Sequence, residues 1–391
     1  MARTPAFLAL LVSLPAVASA CTYFEVESPG GVWVAGRTME LGGGGGGLFR
    51  AARSQGSWRA ALHPRGADPS GLENRYGYVS IDAYMSGDPK TADPAGTVIS
   101  DGMKEAGLLI SDGMNEAGLS VSLHTMRMAR YQEPDPAKAS LLFLSVVPYL
   151  LGHFDCVDAA RQGLANVSVT AGSYGPGDFV HWAVADAHGK SAVFEYVDGT
   201  LQVHSNDVRV MTNDPDYQWH VKNLNMYVGL SPGVPNANAG LEVATEVGPV
   251  PKVWSQGFNL NGLPGDLSPA SRFVRVFYLR RYAETREPVQ SVDDAIVLAT
   301  GLLNNVFIPR GSVAPMQPPT SALDYDFTQY GLLKIPAQRR LLFRTYRSMA
   351  WKEIDLKSLA WDTSKSMPLS DGTLDIEDVT GKMRGMGEEL V

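Results

Sequence analysis

Cysteine is scarce in this chain. Its 391 residues include two cysteines, Cys21 and Cys156. An exported protein that depended on disulfides for its stability would carry more of them. A bridge between these two would leave no free thiol, so we expect Cys156 to behave as a small buried hydrophobe.

The chain also lacks long apolar runs, an excess of positive charge and the residue spacings of metal ligands. After residue 20 no apolar run reaches the length of a membrane span, and residues 141–151 suffice only for a buried helix. The formal net charge is −8 and no basic stripe is present, which argues against nucleic acid as a partner. The seven histidines include no His-x-x-x-His pair, and Gly-x-Ser-x-Gly is absent. The sequence therefore predicts neither a metal site nor a serine-hydrolase elbow.

Residues 1–20 have the pattern of a signal peptide. Arg3 supplies a positive charge, residues 6–17 are apolar, and Ala18, Ser19 and Ala20 form a small-x-small cleavage site. We expect cleavage after Ala20 and export to a bacterial periplasm or the medium.

Cleavage there would place a thiol and a free α-amine on one residue, Cys21. An α-amine titrates at about 7.7–8.0 and a thiol at about 8.5, so the two can exchange a proton near neutral pH. Such nucleophile–amine pairs are a known catalytic device. Two other interpretations stay open, a chance cysteine and a membrane-tethered lipoprotein acylated on Cys21 with a binding role. The lipoprotein is disfavoured because Ala18 stands where a larger aliphatic is usual, and because residues 21–27 have a strand pattern rather than that of a polar linker.

The apolar patterns divide the rest of the chain into strands and helices. Their order is strands, helices, strands, helices, strands, which favours an α+β protein with two mainly antiparallel sheets and helices packed outside them. We expect one domain over residues 21–365 and a polar tail over residues 366–391. The predicted helices cover residues 139–151, 155–164, 216–228, 270–285 and 291–305, and the predicted strands cover residues 21–27, 31–37, 57–62, 76–82, 117–124, 178–186, 191–197, 200–205, 208–212, 326–334, 339–347 and 350–355.

Two segments are unusual in composition. Residues 42–47 are six consecutive glycines, and since no Gly-Lys-Ser/Thr follows they predict a flexible loop rather than a phosphate-binding one. Residues 101–108 and 112–119 are a short repeat, and each copy has the pattern of a turn that leads into a strand.

Five motifs in order resemble the choloylglycine hydrolase family, which includes conjugated bile acid hydrolases and penicillin V acylases. They are Cys21, Gly-Arg-Thr-Met-Glu at 36–40, Asn-Glu-Ala-Gly-Leu at 115–119, Met-Thr-Asn-Asp-Pro at 211–215 and Leu-Pro-Gly-Asp-Leu-Ser-Pro-Ala-Ser-Arg-Phe-Val-Arg at 263–275. The resemblance implies an N-terminal nucleophile hydrolase, an αββα four-layer sandwich, and hydrolysis of a linear amide without a metal or cofactor. It also implies a homotetramer.

The resemblance assigns roles to individual residues. Cys21 would attack the amide carbonyl, and its own α-amine would carry the proton. Asn213 matches the family's side-chain donor to the oxyanion, and a backbone N–H near His124 would be the second donor. Arg37 and Arg272 match two arginines near the nucleophile, where positive charge favours the thiolate.

Glu40 falls where many members of the family have Asp. Its carboxylate would hydrogen-bond the α-amine, and its extra methylene would require a small shift of the strand. The implied substrate has an apolar acyl part and a polar leaving amine, as in penicillin V, conjugated bile acids or N-acyl homoserine lactones. The sequence does not choose among these.

Overall fold

Two antiparallel sheets lie face to face at the centre of the structure, a computed structural model that describes residues 20–41, 58–67, 73–84, 108–175, 179–232, 244–245, 248–249, 257–314 and 325–382. The strands in chain order are β1 (Thr22–Ser28), β2 (Val32–Glu40), β3 (Trp58–His63), β4 (Gly66–Ala67), β5 (Glu73–Asn74), β6 (Tyr78–Tyr84), β7 (Leu108–Asn115), β8 (Ser120–Thr125), β9 (Ala139–Leu142), β10 (Val167–Thr170), β11 (Val180–Ala185), β12 (Ser191–Val197), β13 (Thr200–Ser205), β14 (Val210–Met211), β15 (Ala244–Thr245), β16 (Gly248–Pro249), β17 (Thr328–Ile335), β18 (Arg340–Thr345), β19 (Lys352–Asp355) and β20 (Lys365–Pro368). The helices are α1 (Val146–His153), α2 (Val157–Ala165), α3 (Tyr217–Asn223), α4 (Pro269–Arg286) and α5 (Val292–Asn305).

The sheets differ in size and in strand order. The smaller has six strands in the order β14-β1-β2-β17-β18-β19, and the larger has eight in the order β13-β12-β11-β8-β7-β6-β3-β20. Helices α4 and α5 contact β1 and β2 on the outside of the smaller sheet, and α1 contacts β7 and β8 on the outside of the larger one. One apolar core fills the space between the sheets and under α1, and a second lies under α4 and α5. The layers are therefore α, β, β and α, which confirms the predicted fold class.

The hairpin of β1 and β2 lies inside the smaller sheet and positions Cys21. Gly30 and Gly31 form its turn with φ angles of 79° and 73°, in the left-handed region that glycine enters without strain. The register pairs Thr22 with Thr38, so Cys21 lies beside Met39. Because β14 covers one flank of β1 and β17 covers one flank of β2, Cys21 stands at an interior position of the sheet.

The predicted helix over residues 139–151 is wrong in its first part. Residues Ala139–Leu142 form β9, which pairs in parallel with β10, and α1 begins only at Val146. A short apolar run has no periodicity that separates a strand from a buried helix. The partner strand β10 was not predicted either, so nothing in the sequence indicated where the backbone groups of β9 would bond.

The second copy of the repeat is not a turn throughout. Residues 112–115 end β7, and the turn lies at residues 116–118, where Gly118 has a φ of 86°. The Asn115 side-chain oxygen accepts hydrogen bonds from the N–H groups of Ala117 and Leu119, which closes the turn into β8. Residues 101–107, the first copy up to its last residue, lie outside the described residues, as does the glycine run at 42–47.

Ordered structure crosses the boundary at which the polar tail was expected. β20 (Lys365–Pro368) pairs with β3, and the side chain of Leu369 is buried. Residues 383–391 lie outside the described residues. Cys156 is half-buried rather than buried and directly precedes α2, and the two cysteines are not joined by a disulfide. Among the described residues no helix is long and apolar enough to cross a membrane.

Candidate active site

Cys21 is buried at the start of β1, with an exposed fraction of 1%. Its Sγ lies 3.5 Å from the Met39 sulfur and 3.6 Å from Arg37 Nη2. Its backbone N–H donates to the Asn213 side-chain oxygen at 2.9 Å. The Cys21 thiol therefore lies beside the Arg37 guanidinium. The side-chain amide of Asn213 lies beside the backbone nitrogen of Cys21.

Arg37 lies wholly inside the sandwich, where it can retain its charge only through its contacts. Its guanidinium donates to the Tyr330 hydroxyl and to the Leu123 carbonyl, both at 2.6 Å, and Nη1 lies 3.4 Å from an oxygen of Asp112. Burial alone would lower the pKa of Arg37, but Tyr330, Cys21 and Asp112 hold that pKa above its usual value. Arg37 is thus a permanent positive charge beside the thiol.

Asp112 and Lys334 form a buried ion pair behind Arg37, and both have an exposed fraction of 0%. The Lys334 ammonium also donates to the Ser122 hydroxyl at 2.8 Å. Sequence reasoning missed both members of this pair. Asp112 opens the second repeat copy, and a lysine within the predicted strand over residues 326–334 was the one available signal.

Arg272 reaches Cys21 from the outer helical layer. It lies in the first turn of α4, which Ser268 caps by accepting from the Ser271 N–H. Its Nη1 donates to the Cys21 carbonyl at 2.6 Å and to the Thr22 hydroxyl at 2.5 Å, and its Nη2 donates to the Asn213 side-chain oxygen at 2.9 Å. Burial lowers the pKa of Arg272, whereas Glu40 and Cys21 act to raise it.

Asn213 follows β14 and is oriented by donors on both sides. Its Oδ1 accepts from Cys21 and Arg272, so its Nδ2 must face the other way. Nδ2 donates to the Thr125 carbonyl at 3.0 Å and lies 3.2 Å from the Thr125 hydroxyl. Sequence reasoning did not single out Thr125, yet this residue meets the Asn213 amide directly.

The backbone of His124 faces away from this contact. His124 pairs with His181 of β11, and the Met126 N–H donates to the Phe179 carbonyl, so the even-numbered residues here bond toward β11. The backbone groups of odd-numbered residues point to the opposite side, where the carbonyls of Leu123 and Thr125 meet Arg37 and Asn213. The residue beside the site is therefore Thr125, one position beyond the predicted His124.

The His124 ring belongs to a group of buried histidines behind Asn213. The rings of His124 and His181 both lie within hydrogen-bond distance of the Thr212 carbonyl, at 3.1 and 3.2 Å. His220 Nε2 lies 3.0 Å from the Asn213 carbonyl. Burial lowers the pKa of His220 to about 4, so that ring is neutral and donates. Sequence reasoning singled out His124 only for a nearby backbone N–H, and no spacing rule connects it with His181 or His220.

Glu40 is fully buried at the end of β2 and accepts hydrogen bonds from two threonines. The Thr38 hydroxyl lies 3.0 Å from one carboxyl oxygen and the Thr328 hydroxyl 2.6 Å from the other. Burial raises the pKa of Glu40 to about 7, although Arg272 acts to lower it. Glu40 thus lies in the cluster around Cys21, on the side of Arg272.

A cavity of about 710 Å³ lies beside this cluster. Its floor includes Asn213 and Thr125, and Ala20, the residue before Cys21, forms part of its wall. The remaining lining residues are Arg127, Asp214, Gly265, Asp266, Leu267, Ser268, Pro269, Ser312, Val313 and Asp326. Among the described residues no group of three His, Cys, Asp or Glu side chains could hold a metal ion.

The comparison with protein families finds one match over most of the chain. Residues 21–368 match the model described as linear amide C–N hydrolases, choloylglycine hydrolase family. A bile salt hydrolase/transferase from Clostridium perfringens is 33% identical over 229 residues, which are 58% of this chain and 65% of that protein. A penicillin V acylase from Pectobacterium atrosepticum is 28% identical over 202 residues, which are 48% of this chain and 46% of that protein.

Solved structures share the fold. The conjugated bile acid hydrolase from Clostridium perfringens superposes with a TM-score of 0.71 at 24% identity, covering 92% of this chain and 100% of that one. Penicillin V acylase from Agrobacterium tumefaciens gives a TM-score of 0.61 at 20% identity, covering 90% and 92%. At these identities the likeness supports the four-layer architecture alone.

Proposed function

Because the chain belongs to the choloylglycine hydrolase family of linear amide C–N hydrolases, we propose that it hydrolyses an N-acyl amide with Cys21 as the nucleophile. The observation that carries this proposal is the meeting of Arg37, Asn213 and Arg272 around Cys21, beside a cavity that Asn213 lines. A thiol beside a buried permanent cation is stabilised as thiolate, which is the reactive form.

The α-amine that cleavage after Ala20 would create serves as the base. The thiol proton passes to this amine while Sγ bonds to the amide carbonyl carbon and the carbonyl electrons move onto oxygen. The ammonium then protonates the leaving nitrogen, the C–N bond breaks, and a thioester remains. Water attacks the thioester, gives a proton to the amine, and Sγ leaves and takes that proton back.

The oxyanion would be held by Asn213 Nδ2 and the backbone N–H of Thr125. Asn213 Nδ2 lies at the cavity floor and can turn one N–H from the Thr125 hydroxyl toward a ligand, since that contact is the longer of its two at 3.2 Å. The strand alternation that brings the Thr125 carbonyl to Asn213 also points the Thr125 N–H to the same side. Loss of one such donor typically costs on the order of 10²–10³ in rate.

A membrane-tethered lipoprotein gains no support from this arrangement. Cys21 is 1% exposed and is followed at once by β1, which has a neighbour on each side. A diacylglyceryl group on Sγ would have to displace Arg37 and Met39 from the sandwich. The burial of this thiol therefore favours the enzyme over the tethered binding protein.

The substrate class follows the activities for which the relatives are named. Those activities concern bile salts and penicillin V, and a cavity of about 710 Å³ has the size of sites for small ligands of this kind. We include N-acyl homoserine lactones because they also join an apolar acyl group to a polar amine. The enzyme would act as a homotetramer in the periplasm or the medium.

Two measurements test this proposal. Mass spectrometry of the mature N-terminus should find an unmodified Cys21, and a diacylglyceryl-cysteine there would contradict it. Purified mature protein should release the amine from at least one of penicillin V, a conjugated bile acid and an N-acyl homoserine lactone. It should also accumulate an acyl-enzyme on Cys21 when the reaction is quenched early. No turnover of any of the three would contradict the proposal.

A further inference from the structure

Asp326 is a buried carboxyl group on the wall of the same cavity. It pairs with Val313 through an isolated bridge, precedes β17 and is 2% exposed. Its Oδ1 is buried and has no hydrogen-bond partner in the part of the chain that the structure describes. An unpaired buried carboxyl oxygen costs free energy, so a position of this kind calls for an explanation.

The other two acids of the cavity wall are already satisfied. Asp214 accepts from the N–H groups of Arg127 and Met128 at 3.1 and 2.9 Å. Asp266 accepts from the Ser268 N–H at 2.9 Å and the Ser271 hydroxyl at 2.5 Å. Asp326 is therefore the lining carboxylate with an oxygen that no described contact satisfies.

Burial and a second buried acid both disfavour the ionised form of Asp326. Two buried acids, Glu40 and Asp326, repel each other across the site, and Arg272 attracts both. Arg127 is the remaining cation that attracts Asp326. Burial, followed by the charge of Glu40, holds the pKa of Asp326 well above its usual value. Another positive charge near Asp326 would therefore favour its ionised form.

Removal of Ala20 would supply that charge at this place. Ala20 and Asp326 line the same cavity, so loss of Ala20 exposes the nitrogen of Cys21 to the space that Asp326 borders. The nitrogen then becomes an α-ammonium group. On the basis of the function proposed above, we propose that Asp326 is a positioning residue that pairs with the α-ammonium group of mature Cys21.

The pairing has a chemical consequence for the first step. When the amine takes the thiol proton, an ammonium forms as the negative charge leaves sulfur for the carbonyl oxygen. A carboxylate beside it stabilises that ammonium and holds it in place until it protonates the leaving nitrogen. Glu40 is less available for this task, because both of its oxygens accept hydrogen bonds from threonines.

The scarcity of cysteine makes a direct measurement feasible. With Cys156→Ala as background, Cys21 is the one remaining cysteine, so biosynthetic ¹³C-cysteine labels a single residue. In the mature protein the Cα chemical shift follows titration of the α-amine and the Cβ shift follows the thiol. We expect Asp326→Asn to lower the midpoint of the Cα titration by about one pH unit, because a neighbouring carboxylate favours the ammonium.

Two further variants make the titration specific. Asp326→Glu keeps the charge and should keep the midpoint close to that of the parent protein. Ser312→Ala alters the same cavity wall without changing charge and should leave the midpoint unchanged. If Asp326→Asn does not fold, Asp326→Ser supplies the neutral side chain. A neutral variant with the parent's midpoint overturns the proposal.

The titration needs no substrate, so it is separate from the proposed function. If the protein hydrolyses none of the candidate amides but the Cα midpoint shifts, the pairing holds and the proposed function fails. If hydrolysis occurs and the midpoint does not shift, the function stands and the pairing is wrong. In an active enzyme the acid limb of kcat/KM should move to lower pH in Asp326→Asn by the same amount as the Cα midpoint.

Discussion

The two cysteines differ in their surroundings, and this difference can be tested. Cys21 lies 3.6 Å from the Arg37 guanidinium, whereas burial raises the pKa of Cys156 above its usual value. We expect Cys21→Ser to fold and to lose activity by orders of magnitude, because a hydroxyl ionises far less readily than a thiol. Cys21→Ala should have no activity. Amide hydrolysis rates and thermal unfolding check both variants.

Cys156→Ala is the matched control for these substitutions. It should keep most of the activity and lose at most some stability through a small cavity. Iodoacetamide should inactivate the parent protein by labelling Cys21, and substrate should protect against it. Inactivation that follows the labelling of Cys156, or hydrolysis by Cys21→Ala, would show that the nucleophile lies elsewhere.

Glu40 should make stability depend on pH in the protein that keeps a short extension before Cys21. Burial raises its folded pKa from 4.5 to about 7, so between these values the folded state holds a proton that the unfolded state has lost. The free energy of unfolding then falls as pH rises through this window, by roughly 3 kcal/mol at most. Glu40→Gln cannot ionise and should flatten this dependence, as measured by urea unfolding from pH 4 to 8.

Glu353→Gln is the control, because Glu353 is partly exposed and its pairing with Arg340 lowers its pKa. This substitution should leave the slope between pH 5 and 7 unchanged. In the mature protein we also expect Glu40→Gln to lower activity. Parallel stability curves for Glu40→Gln and its parent would mean that Glu40 does not hold its proton as the structure indicates.

At the scale of elements, the start of α4 positions Arg272. Ser268 caps this helix, and Arg272 lies four residues further on, where it holds the Cys21 carbonyl and Asn213. Ser268→Ala should cost about 1 kcal/mol of stability, which is typical for a lost cap. It should also lower kcat/KM, because a frayed first turn displaces the guanidinium.

Helix α5 offers a cap of the same kind away from the site. Ser291 accepts from the Asp294 N–H at 3.0 Å, and none of the described contacts of Cys21 comes from α5. Ser291→Ala should lose similar stability and keep its kcat/KM. If both variants lose activity equally, the effect arises from general destabilisation rather than from the placement of Arg272.

At the scale of the whole molecule, the folded sandwich accommodates a residue before Cys21. Ala20 lies at the cavity wall while Cys21 remains bonded to Asn213 and Arg272. A chain that keeps a short extension before Cys21 should therefore fold with native stability and turn over no substrate, because its residue 21 has no free amine.

Proteolytic removal of that extension should restore activity without refolding. Hydrolysis assays before and after cleavage, with mass spectrometry of the N-terminus, make the comparison. Full activity with an intact, blocked N-terminus would falsify the role of the amine as base.

The sequence by itself determined the features that depend on local pattern and on order along the chain. The apolar patterns of β1, β2, α4 and α5 are local signals, and the structure has these elements close to the predicted bounds. The order of the five motifs predicted the family, and the family in turn implied the four layers of the fold. The same kind of signal predicted the wrong element at residues 139–142, because a short apolar run fits a strand and a buried helix equally well.

Only the tertiary structure decided which further polar groups lie beside the residues that the motifs had identified. Asp326 is far along the chain from Cys21, and no spacing rule connects them. Strand pairing decided which residue of β8 faces the site. Alternation along the strand turns the backbone groups of His124 toward β11 and those of Thr125 toward Asn213. The same holds for the pKa of Glu40, which burial raises to about 7. Contacts, register and burial depend on segments that are distant along the chain. The sequence motifs therefore predicted the type of reaction, whereas the tertiary structure determined the geometry of the site.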